Sequence, residues 1–442
     1  MSAAVRVIVP MFDSARTVGE TLRSLEAQTF RDWRCVVVDD GSTDDGPENV
    51  REFALRDARF EMIRKANGGL ASARNAGLEV EGTERFVHFL DADDWMEGDG
   101  LGVLVEALES SRDGAAAGGV IVRDDAGSEI ARREPPEGSF GLFELRSMAT
   151  VVTHAQLFRR EAIGAFRFDE SRRRVEDYEL WFRLAESGLT WATTDRAVCG
   201  YRMRTGSISS SFESMMEHTL AVLGESRRRC PGVATPDNAM VDAGVQWNWA
   251  TRRAMVSPGE AEAAAGMLRR GDPVVSAVTA ARAVVDAAVF GLARCPSEIE
   301  GSLRDSAMAW WRVAGSIVEL PDGFAAEAER ALGDAIAGPE VVASRVLDRA
   351  IGGGEHGRVR LIGYGQNGRR LARVARGRGV EVVVRDDRAV VMAEAGVSVE
   401  PISGPLDDGT PTIVTLSDDG ALLDRLRGMG ADVGSLVRWC AS

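Results

Sequence analysis

Val37-Val38-Asp39-Asp40-Gly41-Ser42 is the stretch on which the fold turns: a short apolar run ends in two carboxylates, and a Gly-Ser pair permits a tight turn behind them. In an open α/β sheet the carboxyl ends of the strands form the edge where ligands bind. A carboxylate there can accept the N3 hydrogen of a uracil or thymine ring, or it can simply cap the helix that follows. On either side of it, apolar runs at 5–9, 35–38, 60–63, 85–90 and 120–122 alternate with segments of helical period, as in a parallel sheet flanked by helices. Val18, Leu22 and Leu25 make one apolar stripe between the first two runs, with Asp13 or Ser14 placed to cap that helix. The charged stretch 123–139, with Pro135-Pro136, is expected to be an exposed loop.

Phe89-Leu90-Asp91-Ala92-Asp93-Asp94-Trp95 repeats the theme, with carboxylates immediately after a strand. Asp91 and Asp93, one residue apart, can hold a hard divalent cation against a diphosphate, since Mg2+ and Mn2+ prefer oxygen ligands.

The bulk properties bound the rest. The chain has 442 residues, 45% of them hydrophobic and 27% charged, which suits two or three globular domains and excludes wholesale disorder. A net charge of −15 opposes binding to nucleic acid. The most apolar stretch, 274–293, is interrupted by Arg282 and Asp286 and reads as a buried helix rather than a membrane span. The N-terminus runs straight into a strand pattern without the order of a signal peptide. Five scattered cysteines without a Cys-x-x-Cys offer no zinc framework and suit a reducing compartment. These features lead us to expect a cytoplasmic protein, with peripheral association at the inner face of the membrane and homo-oligomerisation left open.

Three domains are expected. Residues 1–211 carry the motifs above. Residues 212–350 are rich in Ala, Arg and Glu, broken near Pro231, Pro258, Pro273, Pro296 and Pro321, and read as a helical domain. A linker at 351–357 holds three consecutive glycines. Residues 351–442 then resume strand and helix alternation, and Gly363-Tyr364-Gly365-Gln366-Asn367-Gly368 follows a strand with Asp386 eighteen residues beyond Gly368. That is a dinucleotide fingerprint in a module too short for a full dinucleotide domain. Gly363, Gly365 and Gly368 therefore either cradle a nucleotide or allow close strand-to-helix packing in a Rossmann-like accessory module.

The order Val9-Pro10, Val38-Asp39-Asp40-Gly41-Ser42, Asn67-Gly68-Gly69-Leu70-Ala71-Ser72-Ala73-Arg74-Asn75 and Asp91-Ala92-Asp93-Asp94 resembles the family 2 glycosyltransferases over about residues 4–211. The resemblance implies a GT-A fold, a UDP-sugar donor and a bound Mn2+ or Mg2+. It also implies that Pro10 and Asp40 line the base pocket, that Arg74 and Asn75 lie close to the nucleotide, that Asp91 faces ribose or metal, and that Asp93 binds the metal. Arg174-Val175-Glu176-Asp177-Tyr178-Glu179-Leu180-Trp181 is similar to the Glu-Asp motif that supplies the base in inverting members, which makes Asp177 the candidate base. Glu176, Trp181 and His154 are candidates for the acceptor side; the two acidic residues also suit the positive end of a helix, and a lone histidine can be purely structural.

The segment 200–209 resembles a loop that closes over the donor diphosphate, especially in poly(ribitol phosphate) glycosyltransferases, with Arg202 and Ser207 at matching spacing. Arg204 stands where many relatives carry a histidine near the metal; it can neutralise the leaving diphosphate, or the segment can be a solvated basic turn. No Gln-x-x-Arg-Trp segment occurs, so a non-processive enzyme is implied. The acceptor would be a hydroxyl of a glycan, polyol-phosphate polymer or other cell-surface molecule. Two rival readings are a nucleotide-sugar scaffold without turnover and an NAD-dependent oxidoreductase working through the C-terminal module.

Overall fold

The computed structural model describes residues 3–123, 129–133, 138–146, 152–202 and 212–232, and beyond them mainly short strands between 358 and 438. Two compact units are present, Met1–Val245 with Leu292–Pro296, and Gln246–Gly291 with Ser297–Ser442.

In the first unit the elements run β1 (Val5–Met11), α1 (Val18–Glu26), β2 (Trp33–Asp39), α2 (Gly46–Arg56), β3 (Phe60–Arg64), α3 (Leu70–Glu79), β4 (Phe86–Phe89), β5 (Trp95–Met96) and α4 (Gly100–Glu109). They continue with β6 (Ala115–Arg123), β7 (Glu129–Arg133), α5 (Leu142–Arg146), a 3-10 turn (Thr153–Ala155), β8 (Gln156–Arg159), α6 (Arg160–Ile163), α7 (Glu176–Glu186), β9 (Trp191–Arg202) and α8 (Phe212–Arg229). Among the described residues one sheet has the order β3-β2-β1-β4-β8-β6-β9-β5, with β7 paired to β6. Its β3-β2-β1-β4 half is parallel, whereas β8 enters antiparallel to both β4 and β6. This mixed α/β sheet is GT-A-like, and each predicted strand of the N-terminal region is present.

All seven residues of β1 are buried, because helices cover both faces of a central parallel strand. Val18, Leu22 and Leu25 seat α1 on the sheet as the apolar stripe requires. Neither Asp13 nor Ser14 caps that helix through its side chain: Asp13 Oδ1 accepts the Thr43 N–H at 2.7 Å instead, which pins the β1 turn to the β2 turn. The expected loop at 123–139 contains β7, which pairs antiparallel with β6. An aromatic cluster fills the core beyond β4: Phe158 stacks on Trp181 at 4.7 Å, and Phe89 meets Phe168 edge-on at 5.1 Å.

Helix α8, where the sequence begins its helical stretch, belongs to the first unit. Arg146, buried at the end of α5, donates to Ser226 O at 2.6 Å and Cys230 O at 3.0 Å, satisfying carbonyls at the end of that helix. Most of 246–350, the glycine linker at 351–357, Gly363, Gly365, Gly368 and Asp386 lie outside the described residues.

In the second unit β10 (Arg358–Ile362), β11 (Glu381–Arg385), β12 (Val399–Glu400), β13 (Thr412–Val414) and β14 (Val437–Arg438) form a wholly parallel sheet of order β12-β11-β10-β13-β14. No helix among the described residues is long and apolar enough to cross a membrane.

Candidate active site

The carboxyl ends of β1, β2 and β4 bring the first motifs to one edge. Register places Pro10 beside Val38 and Met11 beside Asp39, while β4 pairs with β1 only as far as Ile8. Pro10 thus lies past the last β4 partner, where its missing N–H breaks no ladder on that side. Gly41 turns the chain at φ +83°, and a Cβ there would sit 3.1 Å from the Asn67 backbone nitrogen, so the close approach of two turns requires glycine. Asp40 is buried, and its carboxylate accepts from Lys65 Nζ at 2.8 Å, Gly68 N–H at 3.0 Å and Gly69 N–H at 2.7 Å. It therefore organises the Asn67-Gly68-Gly69 turn, a use that its position in the sequence did not reveal.

Arg74 and Asn75, expected near the nucleotide, are committed to the protein. Asn75 is buried, donates to Phe168 O and Glu170 Oε1, each at 2.9 Å, and accepts the Phe168 N–H at 2.8 Å, so its amide fastens α3 to the segment before α7. Arg74, 1% exposed, donates to Asp91 Oδ1 and to Glu176 Oε1, each at 2.8 Å. This guanidinium joins the end of β4 to the first turn of α7. Burial opposes its charge, but Asp91 and Glu176 outweigh that and raise its pKa. Burial likewise pushes Asp91 up, and Arg74 together with the neighbouring His154 and His88 offsets it, leaving the carboxyl below its ordinary value. Glu176 is held above its ordinary value by burial and by neighbouring Asp177, despite Arg74.

Asp177, the candidate base, is half-buried at the start of α7. Its Oδ1 accepts the Tyr178 N–H at 2.7 Å and its Oδ2 accepts the Thr153 hydroxyl at 2.6 Å. Immediately before Glu176, Val175 adopts φ 50°, ψ 27°, a left-handed conformation that for a β-branched residue stores about 1–3 kcal/mol. That strain falls at the joint that aims Glu176 and Asp177.

The acidic turn after β4 gathers a second cluster. Ligand atoms of Asp91, Asp94 and His154 all lie within 4.8 Å of one another. His154 Nδ1 is 3.3 Å from Asp94 Oδ2 and 4.0 Å from Asp91 Oδ2, yet among the described residues neither ring nitrogen makes a hydrogen bond, and the ring is buried. Burial lowers its pKa to about 4, so the imidazole is neutral at pH 7 and has a lone pair to offer. An orphaned buried imidazole beside two carboxylates is a donor set that fits a divalent cation, Mn2+ better than Mg2+. Asp93, the expected ligand, is half-buried outside this cluster and lends its backbone oxygen to Arg202 Nε at 3.2 Å. Asp94 also accepts the Arg202 N–H at 2.7 Å, which ties β9 to the acidic turn.

The remaining expected residues divide sharply. Trp181 is 1% exposed within the aromatic core and His154 is sealed beneath Asp91 and Asp94, so neither offers a surface to an acceptor. The helical period of α7 turns Trp181 inward. The Arg202 guanidinium pairs with Glu20 and lies 5.4 Å over the Trp95 ring. Arg204 and Ser207 lie outside the described residues. Thr153 and Asp94 were not legible as site residues: Thr153 lies 24 positions from its partner Asp177, and Asp94 stood in the acidic motif without a role of its own.

Comparison with known proteins bears on this arrangement. Residues 6–166 match the family described as Glycosyl transferase family 2. Glycosyltransferase GlyA of Streptococcus pneumoniae is 26% identical over 232 residues, which take in 49% of this chain and 33% of that protein. UDP-Glc:alpha-D-GlcNAc-diphosphoundecaprenol beta-1,3-glucosyltransferase WfaP of Escherichia coli is 23% identical over 208 residues, 47% of this chain and 80% of that protein. Among solved structures, S. aureus TarS 1-349 in complex with UDP-GlcNAc aligns over 71% of this chain and 90% of that chain, with 17% identity and a TM-score of 0.45. Residues 6–166 are thus similar to a glycosyltransferase domain, and the match with GlyA spans about a third of that protein's length.

Proposed function

We propose that the chain is an inverting, metal-dependent, non-processive glycosyltransferase that moves a sugar from a UDP-sugar to a hydroxyl of a glycan, polyol-phosphate polymer or other cell-surface acceptor. The observation that carries this reading is the Arg74 bridge, which holds Asp91 at the end of β4 and Glu176 at the start of α7 on one guanidinium, with Arg74 and Glu176 102 residues apart in sequence. Metal-side and base-side carboxylates thereby share one corner of the fold. Asp177 takes the proton of the acceptor hydroxyl as the glycosidic bond forms, since single displacement at the anomeric carbon needs that proton removed. Each of its oxygens accepts one hydrogen bond and keeps a lone-pair direction open. A bound divalent cation would supply charge neutralisation of the departing diphosphate. Asp91, Asp94 and His154 would hold it, with Asp93 the alternative ligand that the motif suggests. Pro10 and Asp40 stay assigned to the rim of the base pocket, and Arg202, Arg204 and Ser207 to a segment that closes over the diphosphate.

The test is a nucleotide-sugar panel that measures nucleoside-diphosphate release with Mn2+ or Mg2+ added. Release from a UDP-sugar that depends on metal and on Asp177 supports the reading. A panel without turnover, alongside tight UDP-sugar binding, makes the protein a nucleotide-sugar scaffold instead.

A second reading concerns residues 351–442. The parallel order β12-β11-β10-β13-β14, with the first strand central and the fingerprint glycines directly after it in sequence, supports a Rossmann-like module. Titration of the chain with NAD and with UDP tests whether that module takes a nucleotide.

A further inference from the structure

Resting on the assignment of Asp177 as base, we infer that Thr153 is its positioning residue, and that the turn Thr153–Ala155 sets the spacing between the base and the Asp91, Asp94 and His154 cluster. Consecutive residues of this turn face the two halves of the site: the Thr153 hydroxyl donates to Asp177 Oδ2 at 2.6 Å, and His154 Nδ1 lies 3.3 Å from Asp94 Oδ2. The turn itself is fixed to the core. Ala155 is fully buried and its N–H donates to Val152 O at 3.0 Å; Gln156, the next residue, accepts the buried Trp191 indole N–H at 2.8 Å through its side chain.

Asp177 needs such a restraint. Glu176 stands beside it with a like charge, and the other bond to its carboxylate comes from the adjacent Tyr178 N–H, which turns with the same backbone. Thr153 supplies the contact that comes from a different element. The hydroxyl fixes the carboxylate rotamer through a short, directional bond. Among the described residues no second side chain donates a hydrogen bond to Asp177, so the aim of the carboxylate rests on Thr153.

The experiment compares Thr153→Val, which is nearly isosteric but lacks the hydroxyl, with Thr153→Ser, which retains it. Both are made in the parent and in an Asp177→Asn background. The readout is UDP release from UDP-glucose and UDP-GlcNAc with Mn2+, water serving as acceptor, with melting temperature and UDP affinity measured beside it. Thr153→Val should lower kcat about 10- to 100-fold with donor KM and UDP affinity nearly unchanged, the usual scale for a mis-aimed catalytic group. Thr153→Ser should restore most of the rate, and in the Asp177→Asn background Thr153→Val should change turnover by less than about twofold. A purely structural role would instead lower the melting temperature and depress both backgrounds equally. Full kcat for Thr153→Val while Asp177→Asn is impaired overturns the inference alone. An Asp177→Asn chain with full turnover, or a parent that releases UDP from neither donor, overturns the base assignment and the inference with it.

Discussion

Replacing Arg74 with methionine should strip the shared cation from Asp91 and Glu176 while roughly keeping the volume of its aliphatic stem. Removing one partner of a buried ion pair typically costs about 3–5 kcal/mol, because the other charge is left without compensation. The Asp91 side chain is 28% exposed and water can take over part of its solvation, whereas Glu176 is 9% exposed and cannot. The lower end, about 3 kcal/mol, is therefore expected. Most of that loss belongs to Glu176, so adding Glu176→Gln to Arg74→Met should recover more than half of it. The loss should also shrink as pH falls, since the folded variant raises the Glu176 pKa further and takes up a proton that the unfolded chain holds less tightly. The assay is urea titration followed by hydrogen exchange of α3 and α7 peptides, which reads the first unit separately in a chain that need not unfold in two states. A loss below about 1 kcal/mol, or no recovery in the double variant, would rule out the bridge as a major support of this corner. Weakened UDP affinity with unchanged stability would return Arg74 to the nucleotide, where the motif alone places it.

Asp177→Asn should lower turnover about 10²- to 10⁴-fold with UDP affinity intact; a change in KM alone would move Asp177 to acceptor binding. Mn2+ titration followed by electron paramagnetic resonance should show weaker binding for Asp94→Asn and His154→Ala than for Asp93→Ala, and the reverse order would restore Asp93 as the principal ligand. Stability should decline on acidification from pH 6.5 towards 4. Burial lowers the pKa of His88 and His154 to about 4, so in that window the unfolded chain binds more protons than the folded one. Each histidine then contributes a slope of about 1.4 kcal/mol per pH unit, with Glu176 acting in the opposite sense; melts at pH 5 and 7 that coincide in the parent would count against neutral buried imidazoles.

Much of the fold could be read from local pattern. Strand runs at 5–9, 35–38, 60–63, 85–90 and 120–122 were legible because strands buried within a covered sheet are mostly apolar, as β1 is apart from Arg6. Strand β7 was hidden, since a pairing on β6 is decided by the partner and not by its own charged residues. Site residues were legible where position along one strand settles the matter: Asp40 and Asp91 had to emerge at the carboxyl ends of β2 and β4, the two strands that flank β1. The acidic pair at Glu176 and Asp177 was recognisable by its similarity to a family motif, while its composition alone indicated no more than the start of a helix. What no local pattern contains is the choice of partner. Whether Arg74 meets a nucleotide or two carboxylates, whether Trp181 faces an acceptor or Phe158, and whether Asp93 or Asp94 stands beside His154 depend on which helix face turns inward and on contacts between segments up to 102 residues apart. Strand ends, and the chemical types gathered at them, follow from hydrophobic period and charge, which the chain carries before it folds. Which of those groups pair with one another is a property of the packed molecule alone, because burial makes every charge seek the nearest partner that packing brings within reach.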